Sequence, residues 1–180
     1  SVDYRYEGGD RYNGPMIGNT QVFSNTGLNL VFRAGSGTPY SSQSNITNEN
    51  ANIGLQTQGL SRLAGAVNGS RLPWQFRVDA RIDKDFDLKL GNKEKGSQRN
   101  VSLNIYILVQ NLLDAQNIVT VYRATGNADD DGFLASAEGQ QFASAQIDPQ
   151  SFVDMYRIKM NRPDYFALPR RARLGAILNF

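Results

Sequence analysis

The residues best placed to do chemistry are the oxygens between Asn127 and Glu138. With Asn127 as position 1, Asp129 and Asp131 fall at 3 and 5, Gly132 at 6, Phe133 at 7 and Glu138 at 12. This is the spacing of a twelve-residue calcium loop. Its carboxylates give hard oxygens, glycine makes the bend, position 7 lends a backbone carbonyl, and the last Glu binds with both oxygens. Asn127 stands where the pattern has its first aspartate, which lowers the expected affinity. The expected ligand set is therefore Asn127, Asp129, Asp131, Phe133 and Glu138, holding Ca2+ to order the loop and not to catalyse. The alternative is a solvated acidic turn of the same composition.

Other chemistry is narrowed by absence. The 180 residues include no Cys and no His, which removes thiolate zinc sites, disulfides, cysteine nucleophiles, histidine metal sites and Ser-His-Asp triads. A carboxylate-only or lysine-based enzyme is left, but no arrangement in the sequence supports one, and the expectation is a protein that is not an enzyme. A net charge of +2 with scattered basic residues gives no reason to expect nucleic acid.

The elements around the acidic loop are helical. Residues 135–145 could form the helix that follows it. A second helix is expected at 149–160, with Asp148 as N-cap, Pro149 at N1 and Arg162-Pro163 ending it. Phe152, Met155 and Tyr156 would share one face and pack onto the loops.

The rest of the chain is organised by a period of two. From Trp74 to Leu90 the even positions read Trp74, Phe76, Val78, Ala80, Ile82, Lys84, Phe86, Leu88, Leu90, apolar but for Lys84. The odd positions, from Gln75 through Arg77, Asp79, Arg81, Asp83, Asp85 and Asp87 to Lys89, are all polar. Soluble strands average about 5–6 residues, whereas a tilted membrane strand needs about 9–11. The alternation returns from Leu28 to Gly35, from Val101 to Gln110 and from Arg171 to Phe180, and 2–6 reads as the tail of a fifth strand. Strands are thus expected at about 1–7, 26–36, 73–91, 100–113 and 170–180.

No apolar run is long enough for a membrane helix, so a membrane would be met as β-structure. The mean hydropathy of −0.45 is compatible with that. A short polar turn at 91–100 contrasts with long connections at about 37–72 and 114–169. Short turns on one side and long loops on the other are the habit of outer-membrane barrels, which makes the long loops extracellular and the C-terminus periplasmic. Trp74 and Phe86, at about 3.3 Å per residue and a tilt near 40°, lie roughly 30 Å apart along the membrane normal, close to the roughly 25 Å apolar band. Trp74, Phe76 and Phe86 are then the girdle residues, and Lys84 would snorkel to the headgroups. By parity Arg170 points outward, toward lipopolysaccharide phosphates. Arg171 and Arg173 point inward, toward lumen carboxylates or a plug. Arg77, Asp79, Arg81 and Asp83 read as a structural charge ladder. Four or five strands cannot close a barrel, so more strands must come from elsewhere. A soluble sandwich with one buried face is the competing reading, and it leaves the strand lengths unexplained.

Four stretches carry a resemblance: NTGLNLVFRAGSGTPY (25–40), NGSRLPWQFRVDARIDKDFDLKLG (68–91), VSLNIYILVQNLLDAQNIVTVYRATGNADDDGFL (101–134) and YFALPRRARLGAILNF (165–180). Together they resemble the C-terminal end of Bacteroidota TonB-dependent outer-membrane receptors. The match is nearer to the Oar-like type, with its carboxypeptidase-regulatory N-terminal domain, than to glycan-importing SusC proteins. The resemblance implies an all-β fold: the last four to five antiparallel strands of a 22-stranded transmembrane β-barrel, with short helices in long extracellular loops. It implies energised uptake of a substrate that this piece does not identify. The implied partners are the remaining N-terminal strands and plug, the TonB complex, the barrel-assembly machinery, outer-membrane lipid and a surface lipoprotein. Leu174, Ala176, Leu178 and the terminal Phe180 resemble the C-terminal signal read by that assembly machinery, an amphipathic strand with a free edge. The chain opens on SVDYRYEGG with neither start Met nor signal peptide, so it is expected to be a mature or internal piece. An alternative function is a receptor-like barrel serving as a structural subunit of a larger assembly or secretion complex. A TonB box and plug would favour uptake, and loss of either would favour the alternative.

Overall fold

The computed structural model describes residues 1–44, 62–90 and 99–180. The short turn expected at 91–100 lies outside the described residues except at its end, as does 45–61 of the expected 37–72 connection. In chain order the strands are β1 (Val2–Tyr6), β2 (Met16–Ile17), β3 (Thr20–Gln21), β4 (Thr26–Gly35), β5 (Pro39–Tyr40), β6 (Ser70–Arg71), β7 (Gln75–Leu90), β8 (Arg99–Gln110) and β9 (Arg171–Asn179). Two α-helices, α1 (Ala137–Ser144) and α2 (Pro149–Met160), lie between β8 and β9. The chain is mostly β, with few helices, and divides into two compact units.

The sheet unit comprises residues 1–33, 76–115 and 169–180. Its five strands form one antiparallel sheet in the order β1-β4-β7-β8-β9. Pairing runs from Ala80↔Val109 to Leu90↔Arg99 between β7 and β8, and from Ser102↔Asn179 to Gln110↔Arg171 between β8 and β9. Side chains alternate across a strand, so this register sorts residues by kind. Ile82, Ile107 and Leu174 line up on one face, with Phe86, Leu103 and Leu178 beside them. Asp83, Tyr106 and Gly175 line up on the other.

One sequence expectation needs correction. The connection from Glu7 to Asn25 lies at the same end of the sheet as the β7–β8 turn, because Tyr6 pairs with Thr26 and the Asp85 N–H donates to the Asn25 carbonyl at 2.9 Å. It is long and folded: a 3-10 turn at Gly9–Arg11 leads into the β2–β3 ribbon, and the Gln21 side-chain amide brackets Gly9 with bonds of 3.0 and 2.9 Å. The two ends of the sheet therefore differ less in loop length than expected. Lys84 also departs from expectation. Its Nζ donates to the Val22 carbonyl in this connection at 2.7 Å, so a backbone oxygen takes the role assigned to headgroups.

The loop unit comprises 34–75 and 116–168 and holds a compact apolar core. Tyr122, Ala128, Phe133, Tyr156, Met160 and Tyr165 are buried together. Asp148 caps α2 by accepting from the Ser151 N–H, and Pro149 occupies its first turn, as the sequence led us to expect. The helix ends at Met160, whose carbonyl accepts from the Tyr122 hydroxyl at 2.9 Å. Phe152, Tyr156 and Met160, spaced by four, form the inward stripe. Met155 was expected on that face and is 69% exposed, since at about 100° per residue it lies roughly 100° from Tyr156 around the helix.

Ser136 caps α1, accepting from the Gly139 N–H at 3.0 Å and donating to the Phe133 carbonyl at 2.7 Å. Gly139 is buried hard against that same carbonyl, and any Cβ would collide with it. Alanine normally gains about 1 kcal/mol over glycine in a helix. Here the collision reverses the sign, and Gly139→Ala should lower the stability of the loop unit by about 1–3 kcal/mol. Faster proteolysis between β8 and β9 would record it; unchanged or slower cleavage would contradict the packing described.

Candidate functional site

The sheet is inverted relative to a water-soluble fold. Its apolar face is open, with Phe76 47%, Ile82 51%, Ile107 48% and Leu174 76% exposed. Its polar face is covered at its centre, where Asp79, Asp83 and Asn104 are buried, and open toward its ends and edge, where Asp87, Lys89, Arg171 and Arg173 are exposed. Single exposed apolar residues are ordinary, but a face that continues over five strands marks a surface made to be covered.

The covered face is organised by Asp83 and Asp85. Arg5, on β1, reaches both carboxylates at 2.6 Å, crossing β4 at Gly27. A Cβ on Gly27 would stand 2.8 Å from the Arg5 Nη2 and 3.1 Å from the Asp83 Oδ1, so glycine is what opens this route. From β8 the Asn104 amide donates to Asp85 at 2.5 Å and to Asp83 at 3.2 Å. Arg81 stacks on Tyr106 with its guanidinium carbon 4.4 Å from the ring centroid, and the ring fills the space above Gly175. Lower in the ladder, Asp79 pairs with Arg77 at 2.7 Å and with Arg33 at 3.7 Å. These charges bond to one another and frame a concavity of about 600 Å³ lined by Asp3, Arg5, Arg81, Asp83, Asp85 and Asn104 among others.

A second cluster closes the far end of β8. Asn111 and Asp114 both have left-handed backbones, with φ of 55° and 54°. The Asn111 N–H donates to Asp79 at 2.9 Å, and its side chain bonds the Ala115 N–H and carbonyl. Asp114 accepts from the Arg170 N–H at 2.8 Å and so fixes where β9 starts. The sequence reading passed over Arg5, Asn104, Asn111 and Asp114. Strand parity could have found Arg5 and Asn104, since both fall on the polar side of alternating segments.

Several singled-out residues are located by this sheet. Trp74 comes just before β7 in the chain, Phe76 lies at the start of β7 and Phe86 near its other end, all three exposed. Leu174, Ala176, Leu178 and Phe180 follow one another on the open face of β9, and Phe180 is 94% exposed. Among the described residues no strand pairs with the outer edge of β9 or of β1. The Arg170 side chain is exposed and donates to the Leu112 carbonyl at 3.4 Å. Arg171, for which lumen carboxylates or a plug were the expected partners, donates to the Gln110 amide oxygen at 3.2 Å.

The acidic loop is folded, with the oxygens of Asp131 and the Phe133 carbonyl engaged. Asp131 is buried in the loop-unit core, where it accepts from the Tyr156 hydroxyl at 2.6 Å and from the Phe133 N–H at 3.0 Å. The Phe133 carbonyl, the expected position-7 ligand, accepts from both the N–H and the hydroxyl of Ser136. The Asn127 carbonyl accepts from the Tyr122 N–H at 2.8 Å, while Asp129 and Glu138 are exposed. Among the described residues no three carboxylates gather as a metal cluster. Sequence spacing put the right atoms in order along the chain, but it did not show that Asp131 is spent on Tyr156. Nearby, Arg162 holds the Asp164 carboxyl below its ordinary range through a paired hydrogen bond.

No family model, curated protein or solved structure matches this chain.

The two aspartates of the loop should respond unequally to truncation. Asp131→Ala strands a buried tyrosine hydroxyl and a buried N–H, at about 1–3 kcal/mol for each unsatisfied group. Asp129→Ala, at an exposed position, should stay within about 0.5 kcal/mol. Chemical denaturation followed by tyrosine fluorescence separates the two, and equal effects would refute the buried role of Asp131.

Proposed function

We propose that this chain is part of the wall of an outer-membrane β-barrel, with its apolar face on lipid and its polar face on the lumen. The observation that carries the reading is the inversion of the sheet: buried Asp79, Asp83 and Asn104 on one side, open Ile82, Ile107 and Leu174 on the other. In water each such large side chain forgoes about 1.5–3 kcal/mol of burial, which a hydrocarbon layer restores. Strand length agrees: β7 has 16 residues and β8 has 12, against the roughly 9–11 needed to cross. Among the described residues the outer edges of β1 and β9 are unpaired, and open edges would be intolerable in lipid and call for further strands.

Taken with the resemblance, the whole barrel is proposed to be a TonB-dependent receptor that takes up a substrate by energised transport, and not an enzyme. Partners on this reading are the missing strands and plug, TonB, outer-membrane lipid and a surface lipoprotein. Phe180 and the open edge of β9 would present the strand to the assembly machinery. Arg170 would meet lipopolysaccharide phosphates at the outer rim. Calcium would enter the acidic loop only if Asp131 exchanged Tyr156 for the ion, so chelator should then change the proteolysis rate of the loop; an unchanged rate removes calcium from the account.

The decisive substitution is a charge on the open face. Ile107→Arg would be nearly neutral if that face met water, since the side chain is already half exposed. Against hydrocarbon it should cost about 2–4 kcal/mol, while Ser102→Arg on the opposite face should cost little. Folded fraction in bilayers, read by heat-modifiable migration, distinguishes them. Tolerance of Ile107→Arg, or persistence of the chain in aqueous buffer without detergent, would sink the proposal.

A further inference from the structure

Within the loop unit a cleft of about 600 Å³ opens between the acidic segment and α2. Asp129 and Asp130 stand on one wall, Arg157 and Asn161 on the other, with apolar surface from Leu134 and Met160. The size lies inside the roughly 300–1,000 Å³ range of small-molecule sites. All three charged residues are exposed, and among the described residues no ion pair joins Arg157 to either carboxylate.

Both walls are fixed before any ligand arrives. The Asp130 carboxylate accepts from the Gly132 N–H at 2.8 Å, and its carbonyl accepts from the Thr125 hydroxyl. On the helix side, Tyr156 is anchored to Asp131 and the Met160 carbonyl to Tyr122. Preorganised walls lower the entropic cost of binding. The charge pattern then selects the ligand. A bare cation would leave Arg157 repelling it from across the cleft, and a bare anion would face two carboxylates. A molecule with an ammonium at one end, a carboxylate at the other and apolar substance between satisfies every wall.

We propose that this cleft binds a short peptide by its free termini. The ammonium sits against Asp129 and Asp130, the carboxylate against Arg157, and an apolar side chain rests on Leu134 and Met160. The Asn161 amide is available to a peptide bond. The site belongs to the loop unit alone and stands or falls independently of the membrane reading.

The test is calorimetric titration of the full chain in detergent with the tripeptide Leu-Gly-Gly, its N-acetyl form and its C-terminal amide. Each block should weaken binding about tenfold, the size of one charge-assisted contact at an exposed site. Arg157→Gln should weaken the free peptide about tenfold and abolish the penalty of amidation. Asp129→Asn should weaken it similarly and reduce the penalty of acetylation, with the double variant Asp129→Asn/Asp130→Asn abolishing that penalty. Both side chains are exposed, so unchanged circular dichroism is expected of each variant. Equal affinity for the free peptide and either blocked form, or no heat at millimolar peptide, would overturn the assignment.

Discussion

A slip of one residue between β7 and β8 would turn half of the sheet inside out. Strand side chains alternate with a period of two, so register is all or nothing for each face. In the observed register Ile82 meets Ile107, which meets Leu174, and Asp85 meets Asn104. A slip would set isoleucines among Asp83 and Asp85 and would strand two carboxylates without partners. Asn104 guards against this directly, since its amide must reach both carboxylates from the same side. Tyr106 adds a steric pin, because only Gly175 leaves room for its ring, and Arg81 then holds the ring from above.

What this register is worth depends on the medium. A net hydrogen bond contributes about 0.5–1.5 kcal/mol, and one to a charged group about 1.5–3. The Arg5 pairs must be discounted from that, since the guanidinium is nearly half exposed and solvent screens it. The polar face therefore specifies the pairing more than it stabilises the sheet. The larger reserve is on the other side, where each exposed isoleucine or leucine awaits about 1.5–3 kcal/mol of burial. A sheet built this way is completed by whatever covers its apolar face. The loop unit is built on the opposite plan, with Phe133, Tyr122 and Tyr156 inside and its charges outside, apart from the satisfied Asp131.

The same contrast explains what the sequence made legible. Alternation is visible whichever face is wet, so the five strands could be placed from the period of Trp74–Leu90 and its echoes. The α2 boundaries were legible from Asp148 and Pro149 because capping is local. Long-range consequences were not. Nothing near Arg5 in sequence points to Asp83, since the route crosses another strand at a glycine. Nothing in the Asn127–Glu138 spacing tells that Tyr156, about two turns into a later helix, claims Asp131. The folded connection before β4 was missed because it has no periodicity to read, only short bonds such as those between Gln21 and Gly9.

The number of strands limits what can complete the proposed wall. Five antiparallel strands leave β1 and β9 running in the same direction at the two edges. If copies of this sheet stood side by side in one membrane orientation, β9 of one would meet β1 of the next in parallel. Every junction between copies would then break the antiparallel ladder. An all-antiparallel barrel requires an even total, so the missing set must be odd in number and must itself begin and end on strands running opposite to β1 and β9. A second copy of this sheet cannot meet that condition, because each edge of the copy runs the wrong way. On the proposed reading, the partner that closes the wall is a different stretch of β-structure, and the directions of β1 and β9 specify its own.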